Sequence, residues 1–395
     1  MRDIKLNEIE DVLNGMKKHF VNKDLACESV NLDDALNRQL AENIVSDLVI
    51  PAYRKSTVDG YAMKLTQEPI DKRLVLENEI LNVEEILCED HCIYVPTGGR
   101  VPEDADVMVK IEETTRQDNI ISFKAYTKKE NIIEVGADMQ EGDILYVSGH
   151  KITSFDIGVL GLLGYSSVNV KKKPTLAIIS TGDELVPVGS DIKLGQTRDI
   201  NSHTIGCLAK AMGLDVVYTD LVNDTKEKLK ASILKGHELS DITVISGGSS
   251  MGVKDYTFDI LNEIGHVLSD GMALKPGKPT IVSESNGKPV LGLPGHPVSA
   301  IMVFKILMKD LLNVYGINVK DDSIMEATVT RDVRPAKGRD TYQMLHFTEE
   351  EGQVYAHPTS GKSGMMTLLT KSQGYTIIDK SDQLKSGQKI RCYLF

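Results

Sequence analysis

Four turns in the central part of the chain hold the residue types best suited to chemistry. The first is Ser180-Thr181-Gly182-Asp183-Glu184, directly after the apolar run TLAIIS. Adjacent carboxylates at a strand end suit a hard cation such as Mg2+, which takes oxygen ligands and shares phosphates with a substrate. A plain turn with a helix cap is the bland alternative. The second is Ser246-Gly247-Gly248-Ser249-Ser250-Met251-Gly252, followed by Asp255. Glycines admit a close backbone approach, and successive N–H groups can form an anion nest. The run is neither a P-loop nor a dinucleotide GxGxxG. The third, Lys275-Pro276-Gly277-Lys278-Pro279, sets two ammonium groups around a restricted turn. Lysine is a compact point charge suited to an oxyanion, although solvated surface lysines would read the same way. The fourth is Leu293-Pro294-Gly295-His296-Pro297-Val298-Ser299. Pro297 fits a first helical turn, and N–H groups at a helix start favour an anion. His296 is a candidate ligand or base; with no acidic partner nearby in sequence, it reads as a structural or surface histidine. Further upstream, Asp59-Gly60-Tyr61, Thr97-Gly98-Gly99-Arg100 and Asp138 after Gly136 are each compatible with ordinary turns. Cys88 and Cys92, with His91 between them, have the look of half a zinc site, but no second ligand pair stands out.

These turns need strands that end at them. Residues 175–180, 214–220, 241–246, 279–283 and 289–293 read as strands, and 200–213, 224–239, 255–264 and 297–315 as helices. The alternation predicts a three-layer α/β domain over 174–319 with a mostly parallel sheet, whose ligands sit at the carboxyl ends of the strands. Residues 46–147 carry short runs such as CIYVP, DVMVKIEE and NIISFKAYT, which predict a β insert domain. Leu32, Ala35, Leu36 and Leu40 form a stripe that predicts an amphipathic helix. Ile157, Leu160, Gly161 and Gly164 predict a short helix returning beside it. Residues 1–45 and 148–173 are therefore assigned to an elongated helical domain. Its apolar stripe needs a second copy to cover it, which makes it the dimerisation domain. Short strands after 320 predict a small C-terminal β-barrel over 320–395.

Composition excludes several classes. The chain of 395 residues is 41% hydrophobic and 26% charged, ordinary for a multidomain globular protein. Its formal net charge of −12, with no Trp, argues against nucleic-acid binding. No apolar stretch approaches a membrane span and the first residues lack a signal-peptide core, so neither a membrane nor export is expected. The five cysteines are an odd, scattered set that fits a reducing cytoplasm.

Six segments, taken in order, resemble the successive signatures of one family. They are STVDGYA (56–62), PTGGRVPEDADVMVKIEE (96–113), STGDEL (180–185), SGGSSMGVKDYT (246–257), LKPGKP (274–279) and GLPGHPVSA (292–300). The family is that of the molybdopterin molybdenumtransferases, molybdenum-insertion enzymes that include the C-terminal domain of gephyrin. The resemblance covers essentially the whole chain. It implies a four-part subunit and a homodimer in which the β insert of one subunit faces the α/β domain of the other. It implies a reaction on adenylylated molybdopterin, molybdate and Mg2+: the adenylate is hydrolysed, AMP leaves and the metal is placed on the dithiolene. Other proteins of molybdenum-cofactor biosynthesis are implied partners.

The resemblance also implies residue roles. Asp183, Glu184 and Asp255 would hold Mg2+. Asp59, Asp138, Glu184, Asp224 and Asp255 would be catalytic, with Asp59, Thr97 and Asp138 supplied by the opposing subunit. Lys275, Lys278 and Ser363 would hold molybdate. Thr97, Ser180, Thr181, Gly182, Gly247, Gly248 and Ser249 would bind substrate, as would Pro276, Gly277, Pro294, Gly295 and Arg339. The chain departs from the family pattern at three places. His296 stands where Asn is usual, Ile132-Ile133-Glu134-Val135 replaces a basic stretch, and Met344 replaces the second Arg of the barrel motif that keeps Gly338, Arg339 and Tyr342. These departures keep two rivals in view: a diverged paralogue that handles tungstate, and a non-catalytic scaffold on the same fold.

Overall fold

The computed structural model describes residues 4–20, 25–66, 72–76, 87–123, 129–247, 256–317, 319 and 321–395. Gly248, Ser249 and Asp255 lie outside the described residues. The chain divides into two compact units: Met1–Ser29 with Asn37–Gln39 and Asn169–Phe395, and Val30–Leu36 with Leu40–Val168.

The larger unit is built on a six-stranded sheet in the order Asp215–Val222, Thr175–Thr181, Ile242–Ser246, Lys288–Leu293, Ile281–Ser285, His266–Asp270. The first four strands run parallel. The last two are antiparallel additions, and the edge strand His266–Asp270 is absent from the sequence expectation. Side chains of a strand alternate between faces, so Ile178 and Ile179 enter different cores. Ile178 joins Ile205, Val244, Leu291 and Phe304, while Ile179 joins Leu229, Ile233, Ile245 and Ile260. Helices Asn201–Ala211 and Pro297–Val314 supply the first face, and Lys226–Leu239 and Tyr256–Ile264 the second. The expected three layers are present. The helix Ile9–His19 adds Ile9, Val12 and Met16 to the first face, and Phe20 follows at its C-cap.

The barrel closes because Asp340–Glu350 pairs with both Gln353–Pro358 and Gly374–Ile378, with Ile324–Val329 and Lys389–Leu394 completing the circuit. Closure removes the free edges that short strands would otherwise expose.

The smaller unit contains a second six-stranded sheet, in the order Val107–Lys110, Gly60–Met63, His91–Val95, Lys72–Leu76, Ile120–Phe123, Thr114–Gln117. Its curl gives two small cores, one around Tyr61, Met63 and Val109 and one around Ala62, Val95 and Met108. The helix Ser154–Leu162 forms as expected, started by a capping box between Thr153 and Asp156. The helix expected from Leu32, Ala35, Leu36 and Leu40 does not form. Only a single 3-10 turn, Leu32–Asp34, occurs there; Asn37 takes φ 65°, and Leu36 is exposed. The backbone bonds to distant segments instead: Leu32 N–H to Ser166 C=O and Leu40 N–H to His150 C=O. The helical spacing of these leucines therefore coincides with separate burials rather than one stripe.

Candidate active site

Each central strand ends in a turn, and the turns are bonded to one another. At the end of Thr175–Thr181, the Thr181 hydroxyl donates to Asp224 Oδ1, and the Asp224 N–H donates to Asp183 Oδ1 at 3.1 Å. Thr181 is buried, whereas Asp183 and Glu184 are exposed. A Cβ on Gly182 would stand 2.9 Å from Glu184 Oε2, so the glutamate folds back over that glycine. Gly247 has φ 106°, and a Cβ there would lie 2.1 Å from Thr181 O. Only glycine lets the second turn lie against the first. A Cβ on Gly295, in the fourth turn, would lie 3.6 Å from the Gly247 Cα, so these two turns also lie close together.

Asn201 links two of these turns. Its amide donates to Ser246 Oγ at 2.9 Å and to Gly295 O at 2.8 Å, and its own Oδ1 is buried without a partner among the described residues. Asn201 is not among the site residues expected from the sequence. The available signal was a polar residue at the start of the 200–213 helix, two after Asp199, which accepts from Ser202 N–H. Ser180, at the end of the same strand as Thr181, is fully buried, and its Oγ has no partner among the described residues. Pro294 is also buried, while Gly295 and His296 are exposed.

The lysine turn is fixed against the barrel. Leu274–Lys275 pairs in parallel with Asp340–Thr341, and Asp340 N–H donates to Ala273 O at 2.9 Å, which brings Arg339 beside the turn. The Lys275–Pro276 peptide is cis, and Gly277 has φ 135° with a would-be Cβ 2.6 Å from Val303 Cγ2 of the helix Pro297–Val314. Lys275, Lys278 and Arg339 make no ion pair with any of the described residues. In a chain with excess acid, three unpaired cations on adjoining backbone leave a local positive field. Ser363 is held to the same helix start: its carbonyl accepts from Val298 N–H at 3.1 Å, and its Oγ is 2.9 Å from His296 Nδ1. Met344 is 3% exposed and packs with Val298, Met302, Leu368 and Tyr375. At the position of the usual second Arg, this chain therefore has apolar packing beneath the Ser363 loop.

Within the smaller unit, Asp59 and Thr97 are brought together: Thr97 N–H donates to Asp59 Oδ1 at 2.7 Å. Asp138 is exposed, and its N–H donates to Ile50 O. Arg54, another residue sequence reasoning missed, ties this region together. Its buried guanidinium pairs with Glu134 at 2.9 Å and donates to the carbonyls of Pro102, Glu103 and Ala105. Glu134, an oddity in the sequence, is thus the partner of a buried cation. The Cys88/Cys92 pair does not form a metal site. Cys92 is buried with its thiol facing Leu74 O, and burial pushes that thiol up to about 12 despite nearby Arg73 and Arg116. The groups that do gather, Cys88, Asp90 and His91, are near neighbours in sequence at the start of the strand His91–Val95.

For Mg2+, the donor set is of the right kind. Asp183 and Glu184 offer exposed carboxylate oxygens at a strand end, and Mg2+ commonly takes one or two carboxylates plus substrate phosphates. They do not form a three-ligand cage among the described residues.

Comparison with known proteins agrees with this architecture. Residues 7–164 match the MoeA N-terminal region (domain I and II), 177–313 a probable molybdopterin binding domain, and 326–395 the MoeA C-terminal region (domain IV). The molybdopterin molybdenumtransferase of Staphylococcus epidermidis is 31% identical over 332 residues, covering 81% of this chain and 78% of the relative. That of Bacillus subtilis is 29% identical over 393 residues, covering 95% and 91%. A crystal structure of a molybdopterin biosynthesis MoeA protein from Pyrococcus horikosii superposes with a TM-score of 0.80 at 29% identity, covering 99% of each chain. Family regions matched along nearly the whole length and relatives at this identity lead to one conclusion: the chain belongs to the molybdopterin molybdenumtransferase family.

Proposed function

We propose that this transferase of molybdenum-cofactor biosynthesis inserts molybdate into adenylylated molybdopterin, with Mg2+-dependent hydrolysis of the adenylate and release of AMP. The observation that carries the reading is the pairing of Leu274–Lys275 with the barrel strand from Asp340, which sets the Lys275–Lys278 turn beside the segment that holds Arg339. A tetrahedral dianion entering a closed site loses water, and unpaired cations or aligned donors must offset that loss. Asp183 and Glu184 would hold Mg2+, which when bound supplies Lewis-acid polarisation of a phosphate oxygen. Asp224, fixed through Oδ1 by Thr181, keeps its second oxygen to orient a water or accept its proton.

The reading includes a homodimer and a cytoplasmic location. Phe155 is 86% exposed, and Ile144, Val147 and Leu162 are also exposed on the smaller unit, an apolar surface suited to a symmetric partner. In such a dimer Asp59, Thr97 and Asp138 would face the α/β site of the other copy. All five cysteines are free, and no described helix is long and apolar enough to cross a membrane.

Mass spectrometry of AMP tests the reaction. Incubation with adenylylated molybdopterin, Mg2+ and molybdate should release AMP, and Glu184→Gln should abolish the Mg2+-dependent part. Normal release by the variant at low Mg2+ would remove the cation role. Parallel runs with tungstate, a dianion of the same shape, assign the oxyanion.

A further inference from the structure

His296 has an arrangement that the reaction described above does not use. Its backbone starts the helix Pro297–Val314, and its carbonyl accepts from Ala300 N–H, but its side chain does not cap that helix. The ring turns instead to the barrel loop, with Nδ1 at 2.9 Å from Ser363 Oγ. The backbone of Gly364 packs beside the ring: a Cβ there would lie 3.7 Å from His296 Cδ2. Ser363 cannot drift from this position, because its carbonyl is held by Val298 N–H.

A serine hydroxyl has one hydrogen to give. If Ser363 donates to a bare Nδ1, that hydrogen is consumed and Oγ presents only lone pairs, which repel an anion. If Nδ1–H donates to Oγ, the hydroxyl hydrogen is free to point at a ligand. An imidazolium carries hydrogens on both nitrogens, so only the second pairing survives protonation.

We propose that His296 is a positioning residue for oxyanion binding: with Nδ1–H donating to Ser363 Oγ, it turns the Ser363 hydroxyl into a donor toward the bound dianion. The proposal rests on the reading that Ser363 faces the oxyanion. The charged groups of the elements packed against the ring include Arg331, which donates to Ser360 Oγ of the same loop. The loop 359–366 contributes Lys362, and the turn 293–296 and the strand end 245–247 contribute no other charge. The lysine turn packed on the same helix through Gly277 contributes Lys275 and Lys278. The first charged residue of the helix itself, Lys305, is paired with Asp322. Residues 248–255 lie outside the described set. Protonation fixes the hydrogen on Nδ1 and so frees the Ser363 hydroxyl hydrogen for the anion, so anion binding and protonation of His296 promote one another.

The test uses the full-length protein and molybdate alone. Molybdate affinity is measured by calorimetry from about pH 6 to about pH 8.5, across the imidazole range. The midpoint of the His296 ring signal is followed by NMR with and without molybdate. Wild type should bind roughly tenfold more tightly at the acid end, and saturating molybdate should raise the His296 midpoint by about one pH unit. His296→Asn, whose amide donates at every pH, should bind with a flat profile. Ser363→Ala should be both flat and weaker. A pH dependence that survives in His296→Asn, or a midpoint unmoved by bound molybdate, overturns the proposal and leaves the oxyanion site standing. Failure of wild type to bind molybdate at either end removes the oxyanion reading and this proposal with it.

Discussion

The backbone N–H of Thr97 donates to Oδ1 of Asp59 at 2.7 Å. One carboxylate thus shapes the Thr97-Gly98-Gly99 turn and stands exposed at its rim. The two roles separate by substitution. Asp59→Asn keeps an acceptor for Thr97 and should melt close to wild type while losing most AMP release. Asp59→Ala should lose the activity and, in addition, about 1–2 kcal/mol of stability. Thermal melts run beside the AMP assay check both, and full activity in Asp59→Asn would leave the carboxylate a purely structural role.

Gly247 admits no side chain. At φ 106°, with Thr181 O in the space a Cβ would occupy, Gly247→Ala must push the second turn away from the first. The expected cost is about 1–3 kcal/mol, with loss of AMP release even where the protein stays folded. Gly142→Ala, whose Cβ would meet nothing within 4 Å despite φ 90°, is the control for backbone strain alone.

Lys275→Ala and Lys278→Ala should each weaken molybdate use by roughly 10²–10³, the usual loss for one donor of a preorganised anion site. The two losses should not add, because both groups serve one ligand. High molybdate should partly rescue either variant, whereas high adenylylated molybdopterin should not. Near-normal molybdate titrations of AMP release in both variants would return these lysines to the solvated surface.

Acid stability should report on Asp156. Burial opposes its ionisation, yet hydrogen bonds from His150, the Thr153 N–H and hydroxyl, and Tyr146 prevail and hold its carboxyl at about 2. A depressed carboxyl stabilises the fold above its unfolded value and loses that contribution as pH falls toward the folded one. Wild type should therefore exceed Asp156→Asn by roughly 2 kcal/mol near neutrality, and the gap should close between about pH 4 and about pH 2. Denaturant melts along a pH series measure it; a gap independent of pH would assign the difference to helix capping alone.

Much of the α/β unit was legible because its signals are local. TLAIIS and DITVIS are continuous apolar runs of strand length ending in glycine turns, and a strand buried on both faces needs just that. The edge strand His266–Asp270 has a mixed pattern, because only part of it is buried. The stripe from Leu32 to Leu40 misled for a related reason. Helical spacing says which residues are apolar, but long-range backbone bonds to Ser166 and His150 decided what the chain does there.

The sequence by itself determined the strand–turn–helix grammar, the glycines that close approach demands and the carboxylates and lysines at strand ends. These follow from backbone sterics and side-chain chemistry, which act over a few residues. Tertiary structure alone decided which of those groups meet. Arg339 reaches the lysine turn through a pairing of Leu274 with Asp340 and of Lys275 with Thr341, residues far apart in the chain. Ser363 reaches His296 from 67 residues away. Ser180 is fully buried, and Met344 is assigned to packing. Such contacts depend on how layers stack and how a barrel closes, and no local spacing encodes that.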